Sequence, residues 1–487
     1  MSQITIDFQN IFSELPSDFF TFLSPTPLND PYLVAVSSDS AELVGLNQTD
    51  FENPELIEIF TGNTIHATSK PLAAVYSGHQ FGQWAGQLGD GRAISIGEIK
   101  TKKGSWEIQL KGSGSTPYSR RGDGRAVLRS SVREFLCSEA MAALGIPTTR
   151  ALCITGSKDR VYRETIESAA VVTRLSPSFI RFGSFEHWYY KEDEQNLKIV
   201  ADFVIEHFYA DCKLKENPYK ALLEEVVKRT AELIAQWQCV GFMHGVLNTD
   251  NMSIIGVTLD YGPFGFMEAF NQGHICNHSD DSGRYSYANQ PHVGQWNCRA
   301  LAQALLPLIG EIEEAQEIIS LYMPAYRAKY DDLMHQKLGL ELKYPEDQKL
   351  FDSLFSIMQQ NRVDFTLFFR RLSDYKIEDF ESNQPIRDLF IEREAFDDWS
   401  VQYRRRLKLE ESNDAVRKSS MNKVNPKYIL RNYLAQIAIE KAENNDFTEV
   451  DKLLKILQNP FDEQLEFDKY AQIPPDWGMN LEISCSS

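Results

Sequence analysis

One stretch constrains this chain more than any other: His244-Gly-Val-Leu-Asn248-Thr-Asp250-Asn251-Met-Ser-Ile-Ile-Gly-Val-Thr-Leu-Asp260-Tyr261-Gly262. It reads as a polar loop carrying an Asp-Asn pair, a short apolar hairpin, and a second carboxylate that opens an Asp-Tyr-Gly turn. Residues 219–240 precede it with apolar groups at 222, 223, 226, 227, 233, 234 and 237, an amphipathic helix that runs straight into the loop. Asn, Asp and Gly are common turn formers, so polarity alone would describe a surface hairpin. Four residue types at interlocking offsets behind such a helix point instead to a metal–nucleotide site.

Protein kinases assemble that kind of site from a His-x-Asp-x-x-x-x-Asn loop and an Asp-Phe-Gly turn, where Asn and the second Asp hold the metal ions that neutralise phosphate. His244 and Asn251 stand at those offsets, and Asp260 takes the second metal-ligand position. Val246 stands where a kinase has its catalytic Asp, and an aliphatic side chain accepts no proton. Either the site is inactive or another group serves as base. Asp250 is the nearest candidate, aimed from a different direction.

The parts such a site needs lie upstream. Residues 1–50 mix aromatics with prolines and read as an extended arm. From Tyr76, a Gly-rich run reaches Gly89-Asp90-Gly91-Arg92 and enters the alternating segment Ala-Ile-Ser-Ile-Gly-Glu-Ile, followed by a second alternating segment, Trp106–Lys111. Gly89 and Gly91 read either as backbone that approaches a phosphate or as an ordinary tight turn. Lys111 closes its strand as the phosphate-pairing lysine of a kinase sheet does. A helix follows from about Ala126 to Leu144, ended by Gly145-Ile-Pro147, with Asp123 readable as its N-cap. Glu134 and Glu139 compete as the partner of Lys111; periodicity favours Glu139, and spacing does not choose. Strands are expected at 150–155, 161–165 and 169–175. Arg174 to Gly183 reads as the connection between lobes, where Arg174 and Arg181 would form a phosphate fork. Helical patterns recur at 299–330, 348–372 and 427–457.

With 487 residues, two to four domain-sized units are expected, and a formal charge of −19 argues against a nucleic-acid binder. No apolar run approaches the ~18 residues of a membrane helix, and the amino terminus has no signal core, so a soluble, cytoplasmic protein is expected. Seven scattered cysteines make no disulfide framework. His274, Cys276 and His278 match no common zinc spacing and read as a flexible segment after the Asp-Tyr-Gly turn.

The runs Tyr76–Arg92, Gln109–Leu144 and Phe242–Gly265, with the terminal Ser484-Cys485-Ser-Ser, resemble the selenoprotein O family over nearly the whole chain. The resemblance implies an α+β, bilobal protein-kinase-like fold. It would have the arm at 1–50, a small β-rich N-lobe with one key helix at 51–176 and a large, mainly helical C-lobe at 177–487. It also implies a protein adenylyltransferase that moves AMP from ATP to Ser, Thr or Tyr hydroxyls of target proteins, with ATP bound in reversed orientation. By the same resemblance, Lys111, Arg174 and Arg181 hold the buried phosphates and Glu134 orients Lys111. Gly89, Gly91, Arg92, Asp123 and Gly124 line the nucleotide. Asn251 and Asp260 bind Mg²⁺ (Mn²⁺ is the alternative), Asp260 also reaching the nucleotide, and Asp250 accepts the hydroxyl proton. Val246 keeps an ATP-binding pseudokinase scaffold in view, and a true phosphotransferase is the third reading. Eukaryotic relatives carry selenocysteine near the end, where this chain has Cys485, and a Cys276–Cys485 disulfide would restrain the segment after the turn.

Overall fold

The computed structural model describes residues 6–481. The amino-terminal part is built on an eight-stranded antiparallel sheet. Its strands are β1 (Phe20–Phe22), β2 (Tyr32–Val36), β3 (Leu72–Ala74), β6 (Ala93–Thr101), β7 (Gly104–Lys111), β8 (Ala126–Val127), β9 (Arg150–Tyr162) and β10 (Ile166–Ser176). They run in the order β1-β3-β6-β7-β10-β9-β2, with β8 on β10; β4 (Ser77–Gln80) and β5 (Gln83–Gln87) form a separate ribbon. The segment expected as an arm therefore also supplies two strands of the sheet. The strands expected at 150–155 and 161–165 are one strand, because the polar stretch between them pairs with β10 through a bulge.

Register decides which side chains meet. Gln109 of β7 lies opposite Arg174 of β10, and Lys111 lies opposite Val172. Side chains two apart on a strand share a face, so Gln109, Lys111 and Arg174 project together. Two short helices, α1 (Ser38–Leu43) and α2 (Pro54–Thr61), accompany the sheet, and α3 (Leu128–Ala143) packs against β9 and β10. Its Val132, Phe135, Leu136 and Ala140 are fully buried. Asp123 is not the N-cap: the helix starts after Val127, which makes no side-chain cap, because the intervening residues are drawn into β8.

The rest is mainly helical, the mixed architecture of a kinase-like fold. It begins with α4 (Phe182–Tyr190), α5 (Glu194–Phe208), α6 (Pro218–Val240) and α7 (Gln290–Ile309), and further helices continue to Leu457. Asn217 caps α6 by accepting from the Tyr219 and Lys220 amides, and Gly241, at φ 69°, ends it where the polar loop begins. Two late helices, Asn432–Glu443 and Thr448–Leu457, return to pack on α3. Arg133 of α3 ties the same faces together: it donates to Phe264 O at 2.8 Å and to Asn432 Oδ1 at 3.3 Å, with its guanidinium 4.4 Å from the Phe264 ring.

The competition between the two glutamates resolves on this helix. Glu134 reaches Lys111, with Nζ–Oε2 at 2.5 Å. Glu139 is a structural hub: it accepts from Ser37 Oγ (2.5 Å), Ser40 Oγ (2.9 Å), the Ala151 amide (3.1 Å) and, in a fork, from Arg150. Truncating one partner of a buried, hydrogen-bonded charge pair costs about 3–5 kcal/mol. Glu139→Ala is therefore expected to lower stability by about 3 kcal/mol in urea unfolding while leaving ATP affinity within about twofold of wild type.

Candidate active site

The loop after α6 is closed by a small ribbon, β11 (Phe242–Met243) paired with β12 (Gly265–Phe266). His244 is buried and supports the loop from below. Its Nε2 lies 2.8 Å from Leu259 O, and a carbonyl only accepts, so that nitrogen carries the proton; Nδ1 then accepts from the Val246 amide at 3.3 Å. Burial holds the ring below its ordinary value and keeps it neutral. The expected apolar hairpin is present as an antiparallel bridge between Met252 and Thr258. It delivers Asp260 at φ 55°, a left-handed conformation that Asp tolerates better than most residues.

Asp260 is the meeting point of the cations. Arg174 donates to its Oδ1 and Arg181 to its Oδ2, and Lys111 Nζ is 4.0 Å away. Arg174 also donates to Gln109 Oε1 and, at 3.2 Å, to Glu134 Oε1. Burial opposes charge on Asp260, but Arg181, Arg174 and Lys111 outweigh it and hold the carboxyl well below the usual carboxylate range. Burial pushes Lys111 below the ordinary lysine value, and Glu134 pulls it back. Arg174 lies on β10 itself, and Arg181 sits at the start of α4, so the connection between these elements converges both on one carboxylate.

Asp250 stands beside this cluster in a different state. Its backbone carbonyl accepts from Arg181 at 2.7 Å, and its Oδ2 accepts from Gln80 Nε2 at 3.0 Å. Oδ1 is buried and, among the described residues, has no hydrogen-bond partner. Burial raises the carboxyl to about 6, against the lowering effects of Gln80 and Arg181. Asn251 donates to Val246 O at 3.0 Å, so its amide oxygen is the atom left for a cation.

A cavity of about 690 Å³ opens over these groups. Of the residues singled out in the sequence, it brings together Lys111, Arg174, Arg181, Asp250, Asn251 and Asp260. Gly89, Gly91, Arg92, Asp123 and Gly124 line the rest. Glu134 is not on the cavity surface formed there and acts on it through Lys111. The glycines serve close backbone packing: a Cβ on Gly124 would fall 2.1 Å from Gly114 O, and one on Gly91 would fall 2.8 Å from Tyr118 O. Asp123 is held in a fork by Arg163 at 2.9 Å, which keeps its carboxyl below the usual range. Gln80, Arg120, Arg121 and Arg163 also line the cavity and were not singled out. Gln80 carries no charge to mark it, and Arg163 reaches the cavity only because β9 and β10 turn there.

The donor set fits a magnesium nucleotide. Mg²⁺ is ordinarily held by one or two carboxylates together with phosphate oxygens, and Asn251 and Asp260 offer two oxygens beside four cationic side chains, Arg92, Lys111, Arg174 and Arg181. Cys276 is set apart from this chemistry. Its Sγ lies 3.7 Å from Met243 O, and burial pushes the thiol up to about 12. The proposed partner Cys485 lies outside the described residues. No group of three His, Cys, Asp or Glu side chains suited to a metal ion occurs among the described residues, so His274, Cys276 and His278 do not form one.

Removing the Asp260 charge should expose how the cations are used. Asp260→Asn leaves Arg181 without its side-chain counter-charge and Arg174 with Glu134 alone. Its melting midpoint in metal-free buffer should fall below wild type, and ATP should raise it by more than it raises wild type. Direct titration should show ATP bound roughly tenfold more tightly without metal, which is about 1.4 kcal/mol.

Comparison with known proteins gives a full-length match. The family described as "Protein adenylyltransferase SelO" matches residues 2–458. The "Protein nucleotidyltransferase YdiU" of Herminiimonas arsenicoxydans is 62% identical over 482 residues, covering 98% of this chain and 96% of its own. Its namesake in Dechloromonas aromatica (strain RCB) is 54% identical over 486 residues, covering 99% and 97%. That of Cupriavidus metallidurans is 54% identical, covering 96% and 89%. With the kinase-like site in place and the match running through every element that builds it, the chain belongs to the SelO family of protein adenylyltransferases.

Proposed function

We propose that the chain transfers AMP from ATP to a Ser, Thr or Tyr hydroxyl of a protein, releasing pyrophosphate. The observation that carries this reading is the pairing of Asp250, with one unpartnered buried oxygen, and a cation cluster centred on Asp260 in one cavity, while Val246 stands at the kinase base position. Lys111, Arg174 and Arg181 are buried, 2–7% exposed, and would hold the β- and γ-phosphates. The α-phosphorus then faces the opening and Asp250. Arg174 and Arg181 exchange Asp260 for phosphate as ATP enters, which frees that carboxylate. Asn251 and Asp260 are the residues that would hold Mg²⁺, and the ion would supply charge neutralisation on the phosphates.

The acceptor oxygen bonds to the α-phosphorus, the bond from that phosphorus to the bridging oxygen of the β-phosphate breaks, and pyrophosphate leaves with its charge against Lys111 and the arginines. Asp250 orients the hydroxyl and takes its proton as the bond forms. Positioning and charge neutralisation dominate such transfers, and both are supplied by a rigid, desolvated cluster. A pseudokinase remains the second reading because the metal-ligand carboxylate is occupied by its own arginines.

Incubation with Mg²⁺, a protein extract and either α-³²P-ATP or γ-³²P-ATP decides between them. Label is expected from the α position only, and Asp250→Asn and Asp260→Ala should each reduce it at least ~100-fold. Transfer of γ label would make the protein a phosphotransferase, and ATP binding without any transfer would leave the pseudokinase.

A further inference from the structure

The β4–β5 ribbon lies outside the main sheet and is docked onto the loop that carries Asp250. Its turn, Phe81-Gly82, has positive φ at both residues (51° and 78°). Hairpins of that form ordinarily place Asn, Asp or Gly at the first position, so Phe81 is strained there. Backbone contacts hold it: the Phe81 amide lies 3.1 Å from Asn248 Oδ1 and 3.0 Å from the Tyr285 hydroxyl, and the His79 amide donates to Thr249 Oγ1 at 2.7 Å. His79 Nδ1 adds a contact to the buried Glu186 carboxylate at 2.5 Å. Gly78 lets the ribbon come this close, since a Cβ there would lie 3.1 Å from both Asp250 Cβ and the Asp250 amide nitrogen.

With the ribbon already fixed by its backbone and by His79, the Gln80 side chain is left for another purpose. It lines the cavity and donates through Nε2 to Asp250 Oδ2 at 3.0 Å. A carboxylate oxygen only accepts, so the amide nitrogen is the end that faces it. Arg181 holds the carbonyl of the same residue. One carboxylate oxygen is thereby pinned, and the other, Oδ1, is buried without a hydrogen-bond partner among the described residues.

We propose that Gln80 is a positioning residue for the acceptor chemistry, fixing the Asp250 carboxylate so that Oδ1 is presented to the incoming hydroxyl. This rests on Asp250 being the proton acceptor of the reaction proposed above. It does not depend on which phosphorus is attacked, since either transfer needs an aligned hydroxyl. Gln80 itself touches no reacting atom. Its effect should fall on turnover and leave nucleotide binding alone, because Lys111, Arg174 and Arg181 do not contact it among the described hydrogen bonds.

The test is a double-mutant cycle between Gln80→Met, which keeps length and removes the donor, and Asp250→Asn, assayed with both labels on the protein acceptor that takes them. Gln80→Met is expected to lower kcat ~10–100-fold with the KM for ATP within about twofold of wild type. In the Asp250→Asn background, read over long incubations, it should change the residual rate less than twofold. Gln80→Glu, which also lacks a donor and sets a carboxylate against Asp250, should lose at least as much. An unchanged kcat, a KM that rises in step with the loss, or the same loss in the Asp250→Asn background would overturn the proposal. Transfer of γ label in place of α would overturn the AMP reading while the cycle still decides the role of Gln80. Absence of any transfer by wild type would overturn both.

Discussion

Asp260 carries a charge balance on which the cleft depends. Two buried arginines and a buried lysine would repel one another and pay a large desolvation cost if left alone. Two carboxylates, Asp260 and Glu134, are threaded among them. The pairing explains how a chain with a formal charge of −19 keeps a cationic pocket. The arginines and Lys111 converge on one cavity, where local field rather than net charge decides what binds. It also makes the site a place of exchange. Phosphate oxygens can replace the carboxylate on the arginines, so the groups that stabilise the empty fold are the ones that would grip the nucleotide.

The two carboxylates of the loop show how environment separates like groups. Asp260 is surrounded by cations and stays ionised far below its ordinary range, whereas Asp250, ten residues earlier, is met by Gln80 and Arg181 and is raised to about 6 by burial. One is built to keep its charge beside a cation. The other is held by burial closer to its point of protonation. Coulombic attraction and desolvation act on both; their balance differs because the hairpin at Met252–Thr258 sends the second carboxylate inward, under the arginines.

Much of this was legible in the chain. The loop from His244 to Gly262, the helix behind it, and the strand ending at Lys111 follow from spacing and periodicity, because local pattern and tertiary role agree there. The choice between Glu134 and Glu139 did not follow, since both are buried on α3 and only the way α3 packs on the sheet shows which one meets Lys111. Asp123 misled for a related reason: an Asp a few residues before a helix usually caps it, but here β8 intervenes and Arg163, from a distant hairpin, takes the carboxylate. The opening segment, rich in proline and aromatics, gave no alternation long enough to reveal three- and five-residue strands. Gln80 is neutral and sits in a glycine-rich run, so its meaning comes only from the loop it touches.

In protein kinases the helix bearing the lysine's glutamate is a control element, and its position decides whether the ion pair forms. Here α3 is enclosed by the sheet on one side and by the helices Asn432–Glu443 and Thr448–Leu457 on another, and Arg133 rivets it to both Phe264 and Asn432. Swinging it outward would tear open a continuous apolar core that runs from Phe135 to Leu457. Breaking the Lys111–Glu134 bond by moving α3 would therefore cost that packing as well. With the helix fixed by its packing, the familiar on–off lever of a rotating helix has little room to act, and the cavity mouth is the part of the site left open to control.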